Sequence, residues 1–200
     1  MRILVTGFEP FGADTSNASE QTLKLLPQTV GEHRIHTGVL PVSFKRSAQL
    51  LDELIAMHVP DVLVLLGEAG GRRQINLERF AVNQMSARIA DNDGAQPDGE
   101  RIEPAGPARR TATLTVPSEL SFSEDAGRFV CNKIAFHAYG LALPAQFIHV
   151  PAVRPNQQRA LVGAETDAGA PVDSELTVAQ LAASLTQYLQ DICFHYGPRS

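Results

Sequence analysis

Apolar and polar positions fall in blocks along the chain, and the period of each block assigns an element. Arg2–Phe8 is a short, β-rich apolar run and predicts a buried first strand. The segment after it carries Pro and Gly, which predicts a loop. Asn17, with Glu20 three positions later, has the spacing of a capping pair for a helix reaching about Leu26. Arg34–Val42 predicts a second strand. Ser43–His58 sets Phe44, Ala48, Leu51, Leu54 and Ile55 at helical spacing. After Pro60, the run Asp61–Leu66 is apolar from Val62 onward and leads into a Gly-rich turn, which predicts a third strand. Strand, helix, strand, helix, strand in alternation implies a sheet that is parallel at its centre.

From Arg72 to Pro117 the pattern is less regular. Leu77–Gln84 fits a strand, and the Gly/Pro/Asn/Asp-rich stretch Ala90–Arg109 reads as long loops or hairpins. Leu120–Ser123 predicts a short strand, Phe129–Leu141 a helix and Gln146–Val153 a strand. A Gly/Ala/Pro loop follows. Leu176, Val178, Leu181, Ala182, Leu185, Leu189 and Ile192 then mark an amphipathic final helix. The expected fold class is α/β: a three-layer αβα sandwich with a mixed, mostly parallel central sheet. No repeat, low-complexity tract or linker interrupts residues 1–200, so one domain is expected.

Composition narrows the function. A chain of 200 residues is long enough to bury a core without disulfides or metals. Its net charge of -5, with no Lys/Arg run, gives no footprint for nucleic acid or an anionic membrane. The opening MRILVTGFEPFG lacks the long apolar region of a secretory leader, and no run approaches the roughly 20 apolar residues of a membrane span. A soluble, cytoplasmic protein is expected, and the two cysteines, Cys131 and Cys193, suit a reducing compartment.

In open α/β sheets, sites gather at the carboxyl ends of strands. Cys131 stands at the start of a predicted helix, where unpaired N–H groups and the positive dipole end favour a thiolate. His149 lies near the end of a predicted strand. A His beside such a Cys, oriented by a carboxylate, would complete a nucleophile–base set. Taken singly, Cys131 and His149 read more plainly as buried packing residues. His33 and His36 give only a weak metal-like spacing, off any helix face. Gly67–Arg72 lacks both phosphate-loop patterns, so nucleotide binding has little support. Phe8 and Phe11 flank Pro10 and could wall a small apolar pocket. Arg109 and Arg110 could meet a peptide carboxylate, although a solvated loop is the plainer reading.

Six stretches, in order, resemble the pyroglutamyl peptidase type I (pyrrolidone-carboxylate peptidase) family: VTGFEPFG (Val5–Gly12), GEAGGR (Gly67–Arg72), LERFAVN (Leu77–Asn83), ARIADNDGAQP (Ala87–Pro97), AGRFVCN (Ala126–Asn132) and FIHVP (Phe147–Pro151). The resemblance implies a cysteine peptidase that removes an N-terminal pyroglutamyl residue from peptides. It implies Cys131 as nucleophile, His149 as general base and acid, and Glu78 as the group orienting His149. Arg88 is implied as support for the oxyanion. Phe8, Phe11, Ile89, Phe129 and Val130 are implied as the lactam pocket, with Asn17 and Glu68 as polar contacts. No metal or cofactor is implied. A homo-oligomer is, often a tetramer.

Two features depart from the family. Relatives usually carry Gln where this chain has Glu68, which puts an extra carboxylate beside the site. Between Thr115 and Leu120 relatives carry an amphipathic helix, where this chain has only Val116–Glu119. A sheet face there should be less covered. These departures leave a second reading, a non-catalytic relative that binds a pyroglutamyl-like ligand.

Overall fold

The computed structural model describes residues 1–154 and 174–197. Seven strands form one sheet: β1 (Arg2–Phe8), β2 (Thr29–Val30), β3 (His33–Leu40), β4 (Val62–Ala69), β5 (Asn76–Glu78), β10 (Ser121–Ser123) and β11 (Ala145–Pro151), in the order β10-β5-β11-β4-β1-β3-β2. The four inner strands β11, β4, β1 and β3 run parallel. Near the edges β5 runs antiparallel to β11, and β2 antiparallel to β3, so the sheet is mixed and mostly parallel. Two short ribbons stand outside it. One pairs β6 (Phe80–Val82) with β9 (Arg109–Thr111); the other pairs β7 (Met85–Ser86) with β8 (Asp98–Glu100).

Four helices cover the sheet: α1 (Ala18–Leu23), α2 (Arg46–His58), α3 (Val130–Ala138) and α4 (Val178–Tyr196). Alternation along each strand divides the core between them. Ile3 and Val5 of β1, Val62, Val64 and Leu66 of β4, and Ile148 and Val150 of β11 pack with residues of α1 and α4. Leu4 and Phe8, Leu63 and Leu65, and Ala145 and Phe147 point the other way, against α2 and α3. The result is a three-layer αβα sandwich.

Local differences from the expected elements have physical causes. Asn17 caps α1 through its side-chain oxygen, but Glu20 turns outward to an ion pair with Lys24 at 2.8 Å, so α1 is capped from one side only. The expected strand Leu77–Gln84 breaks at Arg79. Asn76–Glu78 pairs with β11 and β10, while Phe80–Val82 leaves to pair with β9. Arg110 is not in a solvated loop: its guanidinium forks onto Glu103 at 2.8 Å twice and stacks 4.2 Å from the Phe136 ring. Arg109 lies over the Phe80 ring. The Gly/Ala/Pro loop expected after β11 lies outside the described residues.

Residues 112–120, between β9 and β10, form a strap without a helix. The N–H groups of Thr113 and Leu114 both donate to the Ala145 carbonyl, and Leu114 and Val116 are buried. Beside the strap lies an open cavity of about 380 Å³ lined by Leu77, Phe122 and Tyr188, among others.

Candidate active site

The carboxyl ends of β1, β4 and β11 and the start of α3 meet around one cleft of about 60 Å³. That is roughly four times the space one water needs, and suits a small ring rather than a peptide side chain of any length. Phe8 and Phe11 come from the end of β1 and its loop, Glu68 and Ala69 from β4, Phe129, Val130 and Cys131 from α3 and its cap, and His149 from β11. Asp14, Asn17 and the Ala126–Arg128 loop complete the wall.

Cys131 is the second residue of α3. The first N–H groups of a helix have no partner within it, and the Phe129 cap supplies no side-chain hydrogen bond there. α3 is fixed from beneath by Asn132, which is fully buried. Its side chain accepts from the Val82 N–H at 2.8 Å and donates to the Val82 and Gln84 carbonyls at 2.9 Å each. Gly127, just before α3, has φ +76, a left-handed conformation that glycine reaches without strain.

His149 is 3 % exposed and sits on β11 opposite Gly67 of β4. Its Nδ1 lies 2.7 Å from Glu78 Oε1. Glu78 is fully buried, and the same Oε1 also meets the Arg72 guanidinium at 2.8 Å. Arg72 in turn donates to the Asp125 carbonyl at 2.7 Å, at the entry to the Ala126–Arg128 loop. The Glu78 backbone is held as firmly as its side chain. Its carbonyl accepts from the Tyr139 hydroxyl at 2.7 Å and from Gln146 at 2.9 Å. Tyr139 caps the far end of α3, so one helix carries Cys131 at its start and secures Glu78 at its end. Burial pushes the Tyr139 phenol well above its ordinary range, so it stays a hydrogen-bond donor.

Gly67 is the glycine the site requires. A Cβ there would lie 2.8 Å from Cys131 Sγ and 2.6 Å from Phe147 Cζ. The aromatic wall is continuous: Phe129 packs at 5.2 Å from Phe11 and at 5.1 Å, edge-on, from Phe44. The Ala90–Arg109 stretch buttresses it. Asn92 accepts from the Gly12 N–H and donates to Glu9 and the Pro10 carbonyl, and Asp91 accepts from the Phe44 N–H at 2.7 Å.

Asn17 lines the cleft with its amide already engaged: the oxygen accepts from Ser19, and the nitrogen donates to the Glu9 carbonyl at 3.0 Å. Arg88 and Ile89 lie in the connection between β7 and β8, outside the described lining of the cleft, and Arg88 is exposed. Glu68 does not stand alone. Arg154 forks onto it at 2.7 and 2.8 Å and reaches Asp14 at 2.8 Å. Burial pulls the Arg154 guanidinium down, but Glu68 and then Asp14 outweigh it and raise its pKa. Sequence reasoning missed Arg154, Tyr139, Asn132, Phe44 and the constraint on Gly67. Only the Arg five positions after His149 offered a signal, a cation beside a strand end.

His33 and His36 do not converge. His33 contacts the chain's amino terminus, while His36 stacks on His58 at 4.4 Å. Among the described residues, no group of three or more His, Cys, Asp or Glu is placed to hold a metal ion.

A cysteine at a helix start and a histidine tied to a buried carboxylate, gathered at the strand ends of an αβα sandwich, define an α/β protein of the cysteine-hydrolase class. Comparison narrows the class. The pyroglutamyl peptidase family model matches residues 1–190, and the chain belongs to that family. A pyrrolidone-carboxylate peptidase of Streptococcus suis is 37 % identical over 167 residues, covering 76 % of this chain and 78 % of the relative. Another, of Thermococcus kodakarensis, is 37 % identical over 76 % of this chain and 81 % of its own. The crystal structure of pyroglutamyl peptidase I from Bacillus amyloliquefaciens superposes with a TM-score of 0.80 at 32 % identity, covering 97 % of each chain. The Thermococcus litoralis pyrrolidone carboxyl peptidase gives 0.81 at 32 % identity, covering 98 % of this chain and 94 % of that one.

Proposed function

We propose that this chain is a cysteine exopeptidase that cleaves after an N-terminal pyroglutamyl residue, with Cys131 as nucleophile, His149 as general base and acid, and Glu78 orienting His149. The observation that carries the reading is the 2.7 Å bond between His149 and the fully buried Glu78, in the cleft that Cys131 also lines. The Glu78 bond to Nδ1 directs Nε2 toward the reacting atoms. The start of α3 favours an anionic sulfur, because the dipole end of the helix is positive there.

The thiolate adds to the pyroglutamyl carbonyl carbon, and the carbonyl oxygen takes the negative charge. N–H groups at the start of α3 are positioned to stabilise that oxyanion. As the tetrahedral intermediate collapses, the C–N bond breaks and protonated His149 gives its proton to the departing amine. His149 then takes a proton from water, whose oxygen attacks the thioester; the C–S bond breaks and free pyroglutamate leaves. These steps route through no metal or cofactor. Arg88 assists the oxyanion only if its exposed side chain swings into the cleft with substrate bound, which Arg88→Ala measures.

A neutral lactam suits a cleft walled by Phe8, Phe11, Phe129 and Val130, and a substrate with a charged amino terminus is costly to desolvate there. Nothing among the described residues favours the non-catalytic reading. The substrates are peptides with N-terminal pyroglutamate, and residues 1–200 act as one domain. No helix among the described residues is long and apolar enough to cross a membrane. We place the protein in the cytoplasm, where Cys131 and Cys193 stay reduced, and as a homo-oligomer whose contacts draw on exposed apolar side chains such as Phe122 and Phe194. The test is release of aminocoumarin from pyroglutamyl-aminocoumarin: the wild type releases it and Cys131→Ala does not. A folded wild type that releases none refutes the proposal.

A further inference from the structure

We propose that Arg154 is a positioning residue for substrate recognition, holding the carboxylates of Glu68 and Asp14 in the cleft wall so that the cleft takes an uncharged ring. The inference rests on the pyroglutamyl reading of the cleft. Arg154 follows the end of β11, Glu68 lies on β4, and Asp14 lies in the loop after β1. Three strand ends are thus joined by one guanidinium. Their side chains are 5 %, 10 % and 7 % exposed, respectively.

The hydrogen bonding shows what the cation does. Glu68 Oε1 accepts from one Arg154 nitrogen at 2.7 Å, and Oε2 accepts from the other at 2.8 Å. Oε2 also accepts from the Ala18 N–H at 2.5 Å. Asp14 Oδ2 shares the first nitrogen at 2.8 Å. Both carboxylates line the cleft, but both Glu68 oxygens and Asp14 Oδ2 are engaged by Arg154 and the start of α1. A planar fork suits this task, since it binds one carboxylate bidentately while touching a second.

Without the cation, two carboxylates within reach of one nitrogen would face each other in a desolvated wall. They would separate or turn toward the cleft, where they would favour a ring carrying an ammonium over a neutral lactam. Arg154 therefore bears on which ring binds, not on bond cleavage.

The test is calorimetric binding of L-pyroglutamamide and L-prolinamide to Cys131→Ala, alone and combined with R154M, R154K, or R154M plus E68Q. In the R154M background, which leaves the two carboxylates without their cation, pyroglutamamide should bind about tenfold more weakly, and its preference over prolinamide should shrink. Adding E68Q removes one stranded charge and should recover most of the loss; R154K should recover part. A packing role alone would not respond to E68Q. Where R154M does not fold, R154K and the R154M/E68Q pair carry the comparison. Equal affinities across all variants overturn the inference and leave the pyroglutamyl reading intact. Absence of pyroglutamamide binding even to Cys131→Ala overturns that reading, and the inference with it.

Discussion

The α-carbon of Gly67 faces the sulfur of Cys131 so closely that a Cβ would lie 2.8 Å from Sγ. Phe147 closes the other side at 2.6 Å. Phe147 is fully buried and Cys131 Sγ turns about a single torsion, so neither yields freely. Gly67→Ala should therefore displace Cys131 from His149. Overpacking of this kind costs about 1–3 kcal/mol, which a domain of this size survives. The variant should fold, lose activity by about a hundredfold or more, and alkylate slowly at Cys131, since misplacement by an ångström costs that much. Kinetics beside thermal melting check it; normal turnover would show that the close approach is not functional.

Glu78 Oε1 serves two partners, His149 at 2.7 Å and Arg72 at 2.8 Å. Glu78→Gln removes the charge that both use and lets an amide N–H face one of them. kcat should fall on the order of 10³–10⁴-fold, as when a triad carboxylate elsewhere becomes an amide, with little change in KM. Steady-state kinetics decide it, and a drop of less than about tenfold would remove Glu78 from the mechanism.

The Tyr139 hydroxyl donates to the Glu78 carbonyl and accepts from the Phe147 N–H at 3.1 Å. Tyr139→Phe leaves that N–H without its acceptor and frees the Glu78 backbone on one side. Stability should drop by about 1–2 kcal/mol, and kcat should fall while KM holds. A denaturant melt and a kcat–KM pair test both halves.

The two thiols should separate by reactivity. Burial pushes the Cys193 thiol up, so it remains protonated to a higher pH than an ordinary cysteine. Iodoacetamide at neutral pH should modify Cys131 first, and Cys193 should join only as the pH rises. Peptide mapping of the alkylated protein reads the order; prior modification of Cys193 would contradict the thiolate assignment.

Much of this architecture could be read from the pattern of apolar positions. β1 has its expected bounds, and α2, α3, β4, β11 and α4 lie within a few residues of theirs. Buried strands and amphipathic helices announce themselves locally, because burial acts on each residue through its own neighbours in sequence. Partner choice does not. Glu68 and Arg154 lie 86 positions apart, and Glu78 and Tyr139 61 apart. Nothing near Glu68 in the sequence states that its charge is matched. The same limit hid the break at Arg79, since only the sheet shows that β5 belongs with β11 and β6 with β9. Glu78, Cys131 and His149 stand out in the sequence only as members of motifs, and those motifs do not say that a single helix, α3, presents Cys131 and anchors Glu78.

In the proposed mechanism Cys131 carries the acyl group. The most direct test is acid quenching of the protein during turnover of a pyroglutamyl substrate, followed by intact-mass and peptide analysis. The expected result is a pyroglutamyl adduct confined to the Cys131 peptide, labile to hydroxylamine as a thioester is, and absent from Cys131→Ala. Turnover that continues in Cys131→Ala, with no adduct on the wild type, would contradict it.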